Sequence, residues 1–314
     1  MGYHRKHAIE GILQCSHELL DPKLWRATFA EFFGTFVMIF VGLSNIVSSE
    51  YDAGIGRGID NLITPALTFA AIIMTLIHII GPTSGCHINP AVTISLAIAK
   101  RCDTLKALFY IMAQLAGATA GASLLYWIAP QEWIDATHLG MNRLRPELNM
   151  AQGLVVELIG TMILVLLVLV ISDPDPKKDF EGFPSTAAGF MVLACVLFMA
   201  PYTGCSLNPA RSFGPAMVMN EFAYYHWIYW VGPIGGGLVA LAVYYGILIQ
   251  GIRKFDDLPE EVVTEPQDKK DPEKIDEAKE ESMKPEKRDA KKLEEKELRA
   301  QKMSGGKNEA TTKQ

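Results

Sequence analysis

The chain has 314 residues, of which 49% are apolar and 20% charged, with a formal charge of −6. The charges are unevenly spread: 16 basic and 18 acidic residues lie from Gly251 onward, leaving 13 basic and 17 acidic in the first 250. Long apolar tracts followed by a charged tail exclude an ordinary soluble domain, and no basic aromatic surface points to a nucleic-acid partner.

The five cysteines, Cys15, Cys86, Cys102, Cys195 and Cys205, are odd in number and irregularly spaced, which argues against a disulfide framework or a zinc site. No Gly-rich phosphate loop and no nucleophile with a base stands out, so neither an enzyme nor a bound cofactor is expected. The opening MGYHRKHAIEG has no apolar run behind it, so a cleaved signal peptide is not expected.

Six tracts are long and apolar enough to cross a bilayer as helices. In chain order they run over roughly 24–47, 61–81, 104–128, 150–172, 184–203 and 225–250. Basic residues collect in alternate connections. Arg5, Lys6, Lys23 and Arg26 precede the first span, Lys100, Arg101 and Lys106 follow the second, Lys177 and Lys178 follow the fourth, and Arg253 and Lys254 follow the sixth. This bias predicts that both termini are cytoplasmic.

The chain repeats itself. AEFFGT at 30–35 returns as VELIGT at 156–161, and HINPAV at 87–92 returns as SLNPAR at 206–211. Each half holds three spans with an Asn-Pro-Ala loop between its second and third. Three is odd, so the halves, about 23–128 and 150–251, enter the membrane in opposite senses and share a site near the midplane.

Asn is a favoured helix N-cap and Pro a favoured first helical residue, so Asn89-Pro90-Ala91 and Asn208-Pro209-Ala210 each read as a helix start. The apolar stretches behind them are about ten residues, enough for a half-helix but not a span. Gly85 and Gly204 ease the bend into them. Two half-helices meeting start to start aim their positive dipole ends at one place, where two Asn amides can donate to a passing oxygen.

With these motifs the sequence resembles the aquaporin, or major intrinsic protein, family over about 25–250. The stretches AEFFGT, SGCHINPAVT, YTGCSLNPARSFGPA and HWIYWVGP carry the likeness. The pattern is nearest to animal water channels. The resemblance implies an all-α membrane protein of six spanning helices and two re-entrant half-helices, with a pore in each subunit of a homotetramer. It implies a passive water channel, in the plasma membrane by default, that excludes protons and ions.

The family's filter carries over to Phe69, Arg211 and Cys205, the last through its backbone carbonyl, and to Val196 where water-selective members have histidine. Valine there implies a wider, less polar filter and passage of glycerol, urea or similar solutes. Ser212, in place of the Asp usual in glycerol channels, and Ala216, Tyr229 and Trp230 fit the water type instead. The alternative reading is a non-conducting adhesion or scaffold protein of the same fold.

Other polar residues invite two readings each. Intramembrane Glu31 and Glu157 are expected to accept hydrogen bonds from the re-entrant loops rather than relay protons. His87 is expected to line or brace the vestibule, and His78 to pack in the interior or at an interface. The Cys205 thiol is either open to the pore and to mercury or simply buried. Segment 1–22 and the tail 252–314 lie outside the resemblance. The tail is too polar to fold alone and is expected to be disordered, with unknown partners.

Overall fold

The computed structural model describes residues 19–52, 60–173 and 183–248. The tail, the segment before residue 19, Cys15 and Lys177–Lys178 lie outside the described residues.

Six helices of membrane length are present among the described residues. They are α1 (Pro22–Asp52), α2 (Asp60–Ser84), α4 (Thr104–Ile128), α6 (Met150–Ile171), α7 (Pro184–Thr203) and α9 (Ile228–Val243). Two short helices, α3 (Pro90–Ile98) and α8 (Pro209–Met219), follow the Asn-Pro-Ala motifs. A seven-residue helix, α5 (Gln131–Thr137), follows α4 and is not marked by any apolar periodicity.

Several boundaries differ from the sequence reading by a few residues, among them the end of α2, at Ser84 rather than Gly81. α1 runs five residues past Val47, through a stretch containing Ser48, Ser49 and Glu50, because Ser44, Ser48 and Ser49 satisfy their hydroxyls on carbonyls one turn back. The last span starts at Ile228 rather than Tyr225, since residues 224–227 form a turn, and it ends in a π-turn over Tyr244–Leu248.

The packing follows the internal repeat. α1 lies on α4, α6 lies on α9, and α2 meets α7 across the halves. Each short helix crosses to the opposite half, α3 onto α9 and α8 onto α4. In lipid no hydrophobic force drives helices together, so close backbone approach matters more. Glycine provides it. A Cβ on Gly117 of α4 would sit 2.3 Å from the Phe32 carbonyl oxygen of α1, and one on Gly236 of α9 2.4 Å from that of Leu158 in α6. The apolar outer surface, including Phe29, Leu67, Ile79, Trp127 and Val155, faces away from the core as lipid or a neighbouring subunit requires.

Beyond α3 the chain is held by Arg101, which donates to the Leu169 carbonyl at 2.5 Å, to Ser172 Oγ at 2.9 Å and to Tyr244 Oη at 3.2 Å. A guanidinium on the last carbonyls of α6 also suits that helix's negative end.

Gly117→Val and Gly236→Val should each destabilise the protein by about 1–3 kcal/mol through overpacking. Gly246→Ala should not destabilise, because nothing lies within 4 Å of its Cβ position and alanine is the better helix former. Unfolding by SDS titration in mixed micelles checks all three.

Candidate functional site

The two loops entering the short helices share one backbone design. Gly85 and Gly204 have φ of +91° and +76°. The next residues, Cys86 and Cys205, and then Ile88 and Leu207, are also left-handed, with φ between 42° and 56°. Such values are uncommon outside glycine, and most costly for a β-branched residue such as Ile88, on the order of 1–3 kcal/mol each. The surroundings must therefore impose this conformation.

A buried carboxylate does so in each half. Glu31 is fully buried in α1. Its Oε1 accepts from His87 N at 2.9 Å and Ser84 Oγ at 2.6 Å, and its Oε2 from Ile88 N at 2.6 Å and Gln114 Nε2 at 2.8 Å. Glu157 repeats the pattern in α6, accepting from Ser206 N at 2.9 Å, Leu207 N at 3.0 Å and Thr203 Oγ1 at 2.5 Å. Tyr110 and Tyr229, 119 positions apart like the motifs, donate to the carbonyls of Ser84 and Thr203 at 2.8 and 3.1 Å. The sequence reading singles out the glutamates and Tyr229 but not the pairing of Tyr229 with Tyr110, although the repeat spacing marks it.

Each Asn caps its own helix. Asn89 Oδ1 accepts from Ala91 N at 2.8 Å, and Asn208 Oδ1 from Ala210 N at 2.9 Å. Each amide nitrogen reaches across to the other loop, Asn89 Nδ2 to the Leu207 carbonyl at 2.9 Å and Asn208 Nδ2 to the Ile88 carbonyl at 2.8 Å. The two helix starts are therefore joined directly, with Pro90, Ala91, Pro209 and Ala210 buried behind them. An amide carries two N–H groups, and this crossing engages one of each pair.

Phe69, Val196, Cys205 and Arg211 are all buried. The Arg211 guanidinium lies over the Phe69 ring, 5.9 Å from its centre. Its Nη1 donates to the Gly140 carbonyl at 2.9 Å. Gly140 closes a run of three left-handed residues, His138, Leu139 and Gly140, directly after α5. Asn142, two residues on, accepts from Ser212 Oγ at 2.8 Å, and Ser212 also meets Ser206 Oγ at 2.6 Å. The connection between α4 and α6 thus fixes the arginine and the second loop together. Gly140 and Asn142 had no motif to reveal them in the sequence.

The Cys205 sulfur packs 3.8 Å from the Met199 sulfur. His87 Nδ1 lies 3.2 Å from Thr93 Oγ1, with its ring edge-on to Tyr110. His78 is exposed on the surface of α2, with Nδ1 2.9 Å from the Met74 carbonyl.

The family model for major intrinsic proteins matches residues 18–244. The chain belongs to the major intrinsic protein family. It is 38% identical over 242 residues to aquaporin-5 of Rattus norvegicus, covering 76% of this chain and 87% of that one. It is 41% identical over 240 residues to the lens fiber major intrinsic protein of Lithobates pipiens, covering 76% and 88%. Among solved structures, the aquaglyceroporin from Plasmodium falciparum matches with a TM-score of 0.63 and 25% identity, covering 72% of this chain and 97% of that one. This aquaporin-family chain is an integral membrane protein of a channel family, not an enzyme, with the aquaporin fold.

Glu157→Gln leaves only one side-chain acceptor oxygen where the carboxylate offered two. At least one buried N–H loses its partner, at a cost of about 1–3 kcal/mol. The amides of Ser206 and Leu207 should then exchange hydrogen faster in the variant, as read by mass spectrometry on detergent-solubilised protein.

Proposed function

We propose that the protein is a passive channel for water, and that each subunit of a homotetramer carries its own pore through the bilayer. The observation that carries this reading is the crossed pair of Asn amides at the joined helix starts. In this reading the second N–H of each amide donates to a water oxygen passing between them. A water that accepts from both Asn89 and Asn208 turns its hydrogens away from the centre and interrupts a proton wire. The two positive helix ends repel cations and protons at the same point.

Phe69, Val196, Arg211 and the carbonyl of Cys205 form the filter in this proposal, with His87 in the opposite vestibule. Arg211 supplies the hydrogen-bonding and electrostatic wall, and Phe69 the apolar one. Val196 is an apolar residue of 8% exposure, which favours passage of small uncharged solutes such as glycerol or urea beside water. Glu31 and Glu157 serve as loop supports. The plasma membrane and cytoplasmic termini complete the proposal, on the strength of the basic residues in alternate connections.

Proteoliposomes containing the protein should swell rapidly under an osmotic gradient, without a proton leak, and should take up glycerol. Val196→His should lower glycerol uptake while leaving water flux high, because it adds bulk and a polar ring to the apolar wall. Absence of swelling in verified, inserted protein would leave the adhesion or scaffold reading in its place.

A further inference from the structure

Among the described residues, the positions of the second half equivalent to Gly42 and Phe69 do not reproduce the way Phe69 is seated. The ring stands on α2 with its tip against Gly42 of α1. A Cβ built on Gly42 would lie 2.3, 2.5 and 2.8 Å from Cζ, Cε1 and Cε2 of that ring. Three ring atoms at such distances leave no room for a methyl group. Gly42 does not stand among the residues of positive φ. Its place in a regular helix would by propensity favour alanine, by about 1 kcal/mol. The glycine is therefore used for space and not for backbone freedom.

At the positions equivalent to Gly42 and Phe69 in the other half stand Val168 and Ala188. The repeat thus exchanges a small residue on the first helix and a large one on the second for the reverse arrangement. In the first half, the large residue of that pair is the one whose ring lies beside Arg211.

We infer that Gly42 is a positioning residue for the pore: it lets the Phe69 ring lie back against α1 and thereby sets the free width beside Arg211 and the range of solutes that pass. The inference rests on the filter reading of Phe69 and Arg211. A methyl group at residue 42 blocks the ring's seat, and in the filter reading the ring gives way on the side of Arg211. Its tip moves toward Arg211 and narrows the passage.

The test compares wild type, Gly42→Ala, Phe69→Leu and the double variant in proteoliposomes. Water and glycerol permeabilities are normalised to inserted protein. Gly42→Ala should lower glycerol permeability roughly tenfold, the scale on which one methylene discriminates in a tight apolar pocket, and lower water permeability less. Phe69→Leu should raise glycerol permeability. The double variant should recover the flux lost in Gly42→Ala, since the shorter side chain vacates the space. The glycerol-to-water ratio is the deciding readout, because poorer folding or insertion cannot move it. If wild type passes water alone, the same four-way comparison is read on unit water permeability.

Should Gly42→Ala fail to insert while the double variant inserts, the clash with Phe69 is established and the double variant is compared with Phe69→Leu alone. An unchanged Gly42→Ala, or a double variant whose losses simply add, would overturn the inference while a responsive Phe69→Leu upholds the filter. An unresponsive Phe69→Leu would instead remove the filter reading itself.

Discussion

Everything at the centre of the molecule depends on two buried carboxylates holding backbone that would not otherwise hold its shape. The loops over 85–88 and 204–207 carry left-handed residues in succession, and several lack the freedom of glycine. Alone, such segments would relax to ordinary turns. Glu31 and Glu157 prevent this by accepting from consecutive backbone N–H groups in each loop. A buried charge is expensive to desolvate, and three or four hydrogen bonds to each glutamate offset that cost. The helix starts, the crossed Asn amides and the seat of Arg211 all follow from those loop conformations.

The site is built as two near-copies that then diverge. Ser84 and Thr203, Tyr110 and Tyr229, and Cys86 and Cys205 play matching parts around their glutamates. The copies part at a few positions. His87 faces Ser206 in the alignment of the halves, Val92 faces Arg211, and Phe69 faces Ala188. A symmetric scaffold thereby holds an asymmetric set of side chains.

Much of this was legible in the sequence because the signals there are local or repeated. Six apolar tracts, two short ones behind Asn-Pro-Ala, and two glutamates at one register each leave a pattern that a single pass reveals. The parts that stayed hidden depend on contacts between residues far apart. Gly140 matters only because its carbonyl happens to meet Arg211, 71 positions later. Asn142 matters through Ser212, and Gly42 through a ring on the next helix. Nothing about a lone glycine in an apolar helix separates a ring's seat from a helix crossing. The extension of α1 to Asp52 was hidden for a similar reason, since its polar last turns carry their own hydroxyl bonds back to the helix.

The exchange of short helices between the halves also has a meaning for how the chain comes together. α3 rests on α9, and α8 on α4, so neither half encloses its own short helix. The Asn89 amide waits for a carbonyl 118 residues further along the chain. While the first three spans are being made, the first loop has its glutamate but lacks both the surface and the partner that complete it. Loop closure over such a distance is entropically costly and is repaid only when the last span arrives. The first half-helix therefore gains its full set of contacts only once the second half of the chain is in place.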